Sequence, residues 1–331
     1  MRTDVTSDCD ADDNVFSTHH YLNHSAVEVV ADVLHAGTDV DCGNGPVPFV
    51  PAHAQAALGN GTITEADIDE RMRVLLNVRF KLGHFDPVGP LQSLSDRREI
   101  CSDEAIALSF DGVAQSATLL KNNGSALPLT PGRSVAVIGP NANLSKLDAG
   151  YYGPHFVCGM RFLTLVDAVA RHAGRVVTML AIRPVDSPDT SNVSAAVEMA
   201  KGVDDVVLAV GTDTSMAAEG HDASNISLSA AQLLLIKQVA AAAKHPVTVV
   251  VMTAVPLDLT PLLADDKVGA ILHVGQPSLT IMGIAPVLFG MRSPAGRLVQ
   301  TVYPASYADE ISIFDFVSWP WRWPAADTLC C

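Results

Sequence analysis

Apolar residues follow two different patterns along this chain. From residue 26 to 36, and again from 64 to about 82, they recur at helical spacing, and Gly37 and Gly83 supply the stops. From about residue 103 onward the apolar residues form continuous Val- and Ile-rich runs. These runs lie at 117–121, 134–139, 176–181, 206–211, 247–253 and 268–274. Helical stretches separate most of them, so the pattern predicts a mainly parallel sheet covered by helices on both faces.

The change of pattern divides the chain. A chain of 331 residues is expected to hold two domains, because single cores seldom grow past roughly 250 residues. We predict helices and a short strand at 38–41 within residues 1–85, and a linker over residues 86–102. Residues 103–304 are predicted to form one doubly wound α/β domain. An irregular tail follows over residues 305–331 and contains all three tryptophans, Trp319, Trp321 and Trp323.

Charge and composition limit the classes of partner. The net charge is −15, which argues against nucleic acid because phosphate binding needs clustered Lys and Arg. A neutral sugar is compatible with it. No apolar run is long enough to span a bilayer, so no membrane association is predicted. The histidines His19, His20 and His24 lack the carboxylate or cysteine spacing that would complete a metal site.

Markers of the secretory pathway point in two directions. The first residues, Met1 to Asp4, lead into acidic sequence without an apolar segment, so we predict no signal peptide in this chain. Six Asn-x-Ser/Thr sequences nevertheless suggest a secreted ancestor, with ordinary polar loops as the alternative. Their asparagines are Asn23, Asn60, Asn123, Asn143, Asn192 and Asn225.

The cysteines add a further expectation. Cys9 and Cys42 flank two acidic motifs and could pair in an oxidising compartment. Cys101 and Cys158 are predicted to be buried thiols.

Three ordered motifs carry a family resemblance. They are Ser7-Asp8-Cys9-Asp10, then residues 120–129 (LKNNGSALPL) running into 134–142 (SVAVIGPNA), and finally Ala218-Glu219-Gly220-His221-Asp222. In this order, with similarity from about residue 5 to about 310, they resemble glycoside hydrolase family 3, and within it the β-xylosidase branch. The resemblance implies that residues 1–85 are the C-terminal remnant of a (β/α)8 barrel. It also implies that most of the barrel and a C-terminal fibronectin-like region are missing.

The resemblance assigns the nucleophile. Retaining glycosidases use two carboxyl groups about 5–5.5 Å apart, one as nucleophile and one as acid/base. Asp8 matches the nucleophile of the family's Ser-Asp motif, and Asp10 is given a supporting role in substrate binding. Without the resemblance, either residue would be interpreted as a solvated charge in an acidic N-terminus.

The acid/base assignment stays open between two positions of one loop. Glu219 and Asp222 match the family's loop, and we take Glu219 as the candidate proton donor and Asp222 as a substrate-binding residue. Ala217 and Ala223 stand where the family has a Glu and an Arg. If the proton donor is the first of the two family glutamates, this chain lacks it, and Glu219 is then a loop acid after strand 206–211.

The function implied by the resemblance is retaining, exo-acting hydrolysis of β-linked xylose, or arabinose, from xylan-derived oligosaccharides, by a secreted protein without cofactor or metal. Because the early barrel strands that carry most of the family's sugar-binding residues are missing, activity of this chain alone is expected to be impaired. The alternative is a non-catalytic α/β carbohydrate-binding module or a vestigial fragment. A partner chain could complete the barrel.

A partial barrel also carries a structural expectation. Residues 1–85 are expected to be loosely held, with Val29, Val30, Val33, Leu34 and Leu75 lacking much of their packing.

Overall fold

The computed structural model describes residues 3–43, 47–89, 96–144, 158, 163–218 and 220–310. The chain forms two compact units, residues 1–94 and residues 95–331. The division falls inside the segment 86–102, where residues 96–100 make a π-helical turn, Asp96–Ile100. Residues 311–331, with the three tryptophans of the predicted tail, lie outside the described residues.

The N-terminal unit contains four α-helices among its described residues. They are α1 (Ala11–Ser17), α2 (Ala26–Ala36), α3 (Phe49–Gly59) and α4 (Glu65–Lys81). Helix α2 has the predicted bounds. Ser25 and Glu28 form a capping box at its start, and Gly37 ends it in the left-handed region at φ 115°, where glycine is free of steric cost.

Two features of this unit differ from the sequence prediction. The predicted strand at 38–41 is reduced to a single parallel bridge between Thr6 and Val40. The expected loss of packing is wrong for four of the five residues: Val29 and Val30 are fully buried, and Val33 and Leu34 nearly so. Helix α3 and Ile63 cover them in one apolar cluster, so the unit has a core of its own. Leu75 is half-buried.

The C-terminal unit is built on a six-stranded sheet. Its strands are β1 (Thr118–Asn122), β2 (Ser134–Ile138), β3 (Arg175–Met179), β4 (Asp205–Gly211), β5 (Val247–Met252) and β6 (Val268–His273). The order across the sheet is β1-β6-β5-β4-β2-β3. Only β1 runs antiparallel, against β6; the other pairings are parallel. All six apolar runs are therefore strands, and the predicted mainly parallel sheet is confirmed.

Helices cover both faces of this sheet. They are α5 (Asp103–Ser116), α6 (Leu165–Ala170), α7 (Val193–Lys201), α8 (Ala230–Ala242), α9 (Thr260–Leu263) and α10 (Ala285–Leu288), which follows a 3₁₀ segment (Ser278–Ile284). A short helix, α11 (Tyr307–Glu310), is the last described element. Side chains of a strand alternate between faces: Val207 and Ala209 of β4 join one apolar cluster, and Leu208 and Val210 join the other. Burial on both sides accounts for the continuous apolar runs.

The cysteine prediction needs one correction. Cys9 and Cys42 form a disulfide within the N-terminal unit. Cys101 and Cys158 form a second one in the C-terminal unit, so the prediction of buried thiols is wrong. They lie 57 residues apart in sequence, and only the fold brings the two sulfurs together.

Candidate active site

Asp8 stands on a segment that is tied firmly to its neighbour. The N–H of Ser7 donates to the carbonyl of Val40 at 2.9 Å, and the Ser7 hydroxyl accepts the N–H of Cys42 at 2.9 Å. The Cys9–Cys42 disulfide joins the same two segments. Asp8 itself is exposed. Its backbone is thus fixed from both sides while its carboxylate faces solvent.

Asp10 turns the chain from this segment into helix α1. It adopts the left-handed conformation at φ 64° as N-cap, a region that Asp tolerates better than most residues. Its N–H donates to the carbonyl of Cys42 at 2.6 Å, and its own carbonyl accepts the N–H of Asn14 at 3.0 Å. Asp10 is half-buried.

Two acids of the adjacent segment have structural roles. Asp39 is buried, accepts the N–H of Val5 at 2.9 Å and pairs with Arg71 of α4 at 3.2 Å. Asp41 accepts the N–H of Val50, in the first turn of α3, at 2.7 Å. Carboxylates at a helix N-terminus satisfy free N–H groups and complement the helix dipole. These acids therefore hold the segment that supports Asp8.

The fold changes the titration of Asp12. It lies in α1 with 5% of its surface exposed, and its Oδ2 has no hydrogen-bond partner among the described residues. Burial, and to a lesser degree the nearby charge of Asp41, raises the pKa of Asp12 from 3.8 to about 6. Both effects disfavour the charged carboxylate.

The loop that follows strand β4 begins at a fixed root. Gly211 has φ 148°, and a Cβ there would lie 1.8 Å from the carbonyl oxygen of Met252, so the close strand contact requires glycine. The fully buried Gln232 of α8 accepts the N–H of Gly211 and donates to its carbonyl, both at 3.0 Å. Its amide also donates to the carbonyl of Val185 at 3.0 Å.

Thr212 is held in the same way. Its N–H donates to the carbonyl of Met252 at 2.9 Å, and its carbonyl accepts from the side chain of Asn141 at 3.2 Å. Its hydroxyl lies 3.0 Å from that of Thr253. Because these groups are buried, each would be an unsatisfied donor or acceptor without its hydrogen bond. The root of the loop is therefore rigid.

Farther along, the loop contains the two candidate site residues predicted for it, Glu219 and Asp222. Ala218 and His221 exchange two backbone hydrogen bonds of 2.9 Å, and Gly220 has φ 71°. Glu219, the candidate proton donor, lies outside the described residues. Asp222 is exposed. The loop is fastened again where the N–H of Asp258 donates to the carbonyl of Ile226 at 2.8 Å.

The structure thus places Asp8 and Asp10 together in the N-terminal unit and Asp222 in the C-terminal unit. Sequence reasoning missed two residues: the buried acid Asp12, and Gln232, which holds the root of the loop. A signal for Gln232 existed: it stands next to Ala231 within the apolar side of a helix, together with Leu235 and Ile236. A polar residue in that position is usually a hydrogen-bonded core residue.

A cavity of about 440 Å³ lies in the C-terminal unit at the carboxyl ends of β5 and β6. Thr118, Leu257, His273 and Tyr303 are among its lining residues, and Asp222 is not. Burial lowers the pKa of His273.

The described residues lack two further kinds of feature. They contain no group of three or more His, Cys, Asp or Glu side chains suited to a metal ion. Nor is any described helix both long and apolar enough to cross a membrane.

Comparison with known proteins gives a consistent family. Residues 117–315 match the model of the glycosyl hydrolase family 3 C-terminal domain. The chain is 36% identical over 314 residues to "Probable beta-D-xylosidase 7" of Arabidopsis thaliana, covering 92% of this chain and 39% of that protein. It is 34% identical over 320 residues to "Probable exo-1,4-beta-xylosidase xlnD" of Neosartorya fischeri, covering 96% and 40%. The chain thus spans about two fifths of these relatives' length.

Solved structures give the same result. A "GH3 exo-beta-xylosidase (XlnD) in complex with xylobiose aziridine activity based probe" superposes with a TM-score of 0.83 at 30% identity. The match covers 95% of this chain and 40% of that one, so it extends into the N-terminal unit. A β-glucosidase from Listeria innocua superposes at 0.77 with 22% identity, covering 93% and 42%, which supports the fold alone.

Proposed function

Because the chain belongs to glycoside hydrolase family 3, we propose that it supplies the nucleophile and the acid/base loop of a retaining β-xylosidase acting on xylan-derived oligosaccharides. The main support is the placement of Asp8. An exposed carboxylate on a backbone fixed by Ser7, Val40 and the Cys9–Cys42 disulfide is what nucleophilic attack on a sugar requires, since reaction depends on positioning.

In the proposed reaction, Asp8 attacks the anomeric carbon of the terminal xylose. The bond to the leaving oxygen breaks, and Glu219 gives that oxygen its proton. Water, deprotonated by Glu219, then releases xylose from Asp8 with overall retention. Asp10 and Asp222 contact the substrate in this scheme. A second polypeptide that supplies further barrel strands is part of the proposal.

A covalent probe tests Asp8 without needing turnover. The purified chain, together with a separately expressed barrel segment from a relative, is incubated with a xylobiose aziridine, and the labelled peptide is identified by mass spectrometry. We expect label on Asp8. Asp8→Asn should abolish it, because the amide cannot attack, whereas the matched variant Asp4→Asn in the same segment should keep it. Label confined to another residue would contradict the assignment.

Hydrolysis of an aryl β-xyloside provides the second measurement. Asp8→Asn should lower the rate by about 10³-fold or more, in the range seen when a nucleophile is removed. The assay is run with the chain alone and after addition of a separately expressed barrel segment from a relative. A hydrolysis rate that rises when the barrel segment is added, and that falls in Asp8→Asn, supports the proposed partner chain.

A non-catalytic carbohydrate-binding role is the second candidate. It is favoured by Ala217 and Ala223, which stand where the family's loop has a Glu and an Arg. Calorimetry separates the catalytic role from the binding role. If the chain binds xylo-oligosaccharide in the presence of the added barrel segment but shows neither labelling nor hydrolysis, the binding role is favoured.

We also propose that the protein is exported. The disulfides Cys9–Cys42 and Cys101–Cys158 are typical of oxidising compartments, and the six Asn-x-Ser/Thr sequences agree with this. Thiol titration of the native protein tests the proposal: of the six cysteines, four are expected to be protected, and six free thiols would contradict it.

A further inference from the structure

The six Asn-x-Ser/Thr sequences are spread over both units of the fold. Chance would give about one or two among eleven asparagines. Each of the six asparagines is exposed, namely Asn23, Asn60, Asn123, Asn143, Asn192 and Asn225. An exposed carboxamide can carry a bulky glycan without displacing packed side chains. Exposure therefore permits glycosylation at all six sites but does not rank them. Exposure is also not specific to these sequences, because Asn77 is exposed and lies outside any of them.

Local geometry ranks two of them first. The side-chain oxygen of Asn60 accepts the N–H of Thr62 at 3.0 Å and also contacts the Thr62 hydroxyl. The side-chain oxygen of Asn225 accepts the N–H of Ser227 at 2.8 Å. In both turns the carboxamide is thereby held against the Ser or Thr of its own sequence. Within the described part of the chain, neither side-chain nitrogen donates a hydrogen bond.

These turns depend on short-range contacts alone. An Asn side chain that bonds the backbone two residues ahead needs only its own tripeptide. A chain entering the secretory pathway can form such a turn before its domains fold. The geometry is then available when glycans are attached, and the folded protein retains it.

We propose that Asn60 and Asn225 carry N-linked glycans, an inference that rests on the proposed export of the protein. The co-reactant is a lipid-linked oligosaccharide pyrophosphate. The side-chain nitrogen attacks the anomeric carbon, a C–N bond forms, and the C–O bond to the pyrophosphate breaks. The lipid pyrophosphate leaves with the electron pair, and the nitrogen loses one proton to the transferring enzyme.

The two glycans would have different neighbours. Asn60 follows helix α3 in the N-terminal unit. Asn225 lies on the loop of Asp222, three residues farther along the chain. A glycan at Asn225 would therefore border the candidate substrate-binding residue.

Translation of the full chain in the presence of microsomes, with a cleavable leader fused upstream, tests the proposal. Cleavage of the leader reports entry into the lumen, and glycans appear as endoglycosidase-sensitive increases in mass. Asn60→Gln and Asn225→Gln should each remove one glycan, and so should Thr62→Ala and Ser227→Ala. Asn77→Gln, an exposed asparagine outside any such sequence, should remove none.

The proposal is overturned if the leader is cleaved and Asn60→Gln and Asn225→Gln leave the glycan number unchanged. Peptide mapping after treatment with a peptide N-glycosidase gives an independent readout, because this amidase hydrolyses the side-chain amide and converts the released site from Asn to Asp. Neither measurement involves a xyloside, so failure here is distinct from failure of the proposed hydrolase activity.

Discussion

The two units of this chain fill their interiors differently. The C-terminal unit buries Val, Ala, Leu and Ile side chains on both faces of a six-stranded sheet. The N-terminal unit has a smaller apolar cluster around α2, and buried charged residues lie beside it. Asp12, Asp39 and Arg71 are each less than one tenth exposed.

The N-terminal unit also carries apolar side chains on its surface. On α4 of the N-terminal unit, Met72, Leu76 and Phe80 are exposed by 44%, 36% and 63%. Their four-residue spacing places them on one side of the helix. Burial of apolar area therefore dominates the C-terminal unit, whereas the N-terminal unit depends more on a disulfide, an ion pair and helix caps. Three variants test this contrast, from the largest expected effect to the smallest.

Leu208→Ala should damage the C-terminal unit most. Leu208 is fully buried in the middle of β4, so truncation leaves a cavity, and we expect a loss of about 4 kcal/mol in the free energy of unfolding. Urea denaturation followed by circular dichroism measures it. Leu234→Ala on α8, where the side chain is 37% exposed, is the matched control and should cost about 1 kcal/mol or less. Equal effects would contradict the burial argument.

Removal of the Cys9–Cys42 disulfide should act on the N-terminal unit alone. The double variant Cys9→Ser, Cys42→Ser frees two segments 33 residues apart, and we expect a loss of about 3 kcal/mol in that unit. Amide exchange gives the result region by region: protection over Ala26–Ala36 should fall while protection over Asp205–Gly211 is retained. Loss of protection in both regions would show that the units unfold as one.

Asp12→Asn should stabilise the N-terminal unit by about 1 kcal/mol at neutral pH. The pKa of Asp12 is raised to about 6, so the folded protein binds this proton more tightly than the unfolded chain does. The stabilisation that this bound proton gives the folded unit is fully present below about pH 4 and is lost as the pH rises through 6.

The gain from Asp12→Asn should therefore be largest above pH 6 and shrink toward pH 4. Urea denaturation at pH 7, 5 and 4 measures it, with exchange in α2 as the regional readout. Asp69→Asn, an exposed acid of α4, is the control and should show little pH dependence. A gain that grows on acidification would have the wrong sign.

Much of the fold could be predicted because it rests on local signals. Continuous Val and Ile runs located all six strands, and apolar residues at helical spacing with stops at Gly37 and Gly83 located α2 and α4. The family resemblance carried by three short motifs is confirmed. Helices α1 and α3 were missed. The first lies in an acidic stretch that resembles solvated sequence, and the second contains Pro51, which the first turn of a helix tolerates.

The remainder depends on long-range contacts. The Cys101–Cys158 disulfide, the Asp39–Arg71 pair and the bonds of Gln232 to Gly211 join residues that no local pattern relates. Burial of α2 likewise depends on α3, which the pattern did not reveal. The catalytic assignments of Asp8, Asp10, Glu219 and Asp222 remain predictions.

The loop after β4 is fastened at both ends, at Gly211–Thr212 and at Ile226–Asp258. The partners at both ends come from the sheet and from its connecting helices and loops. Segments of other length or sequence could then be exchanged between Thr212 and Ile226 without moving the strands. Such modularity would let loop segments be exchanged between relatives while the supporting domain stays the same, and it makes this loop a natural site for chimeras.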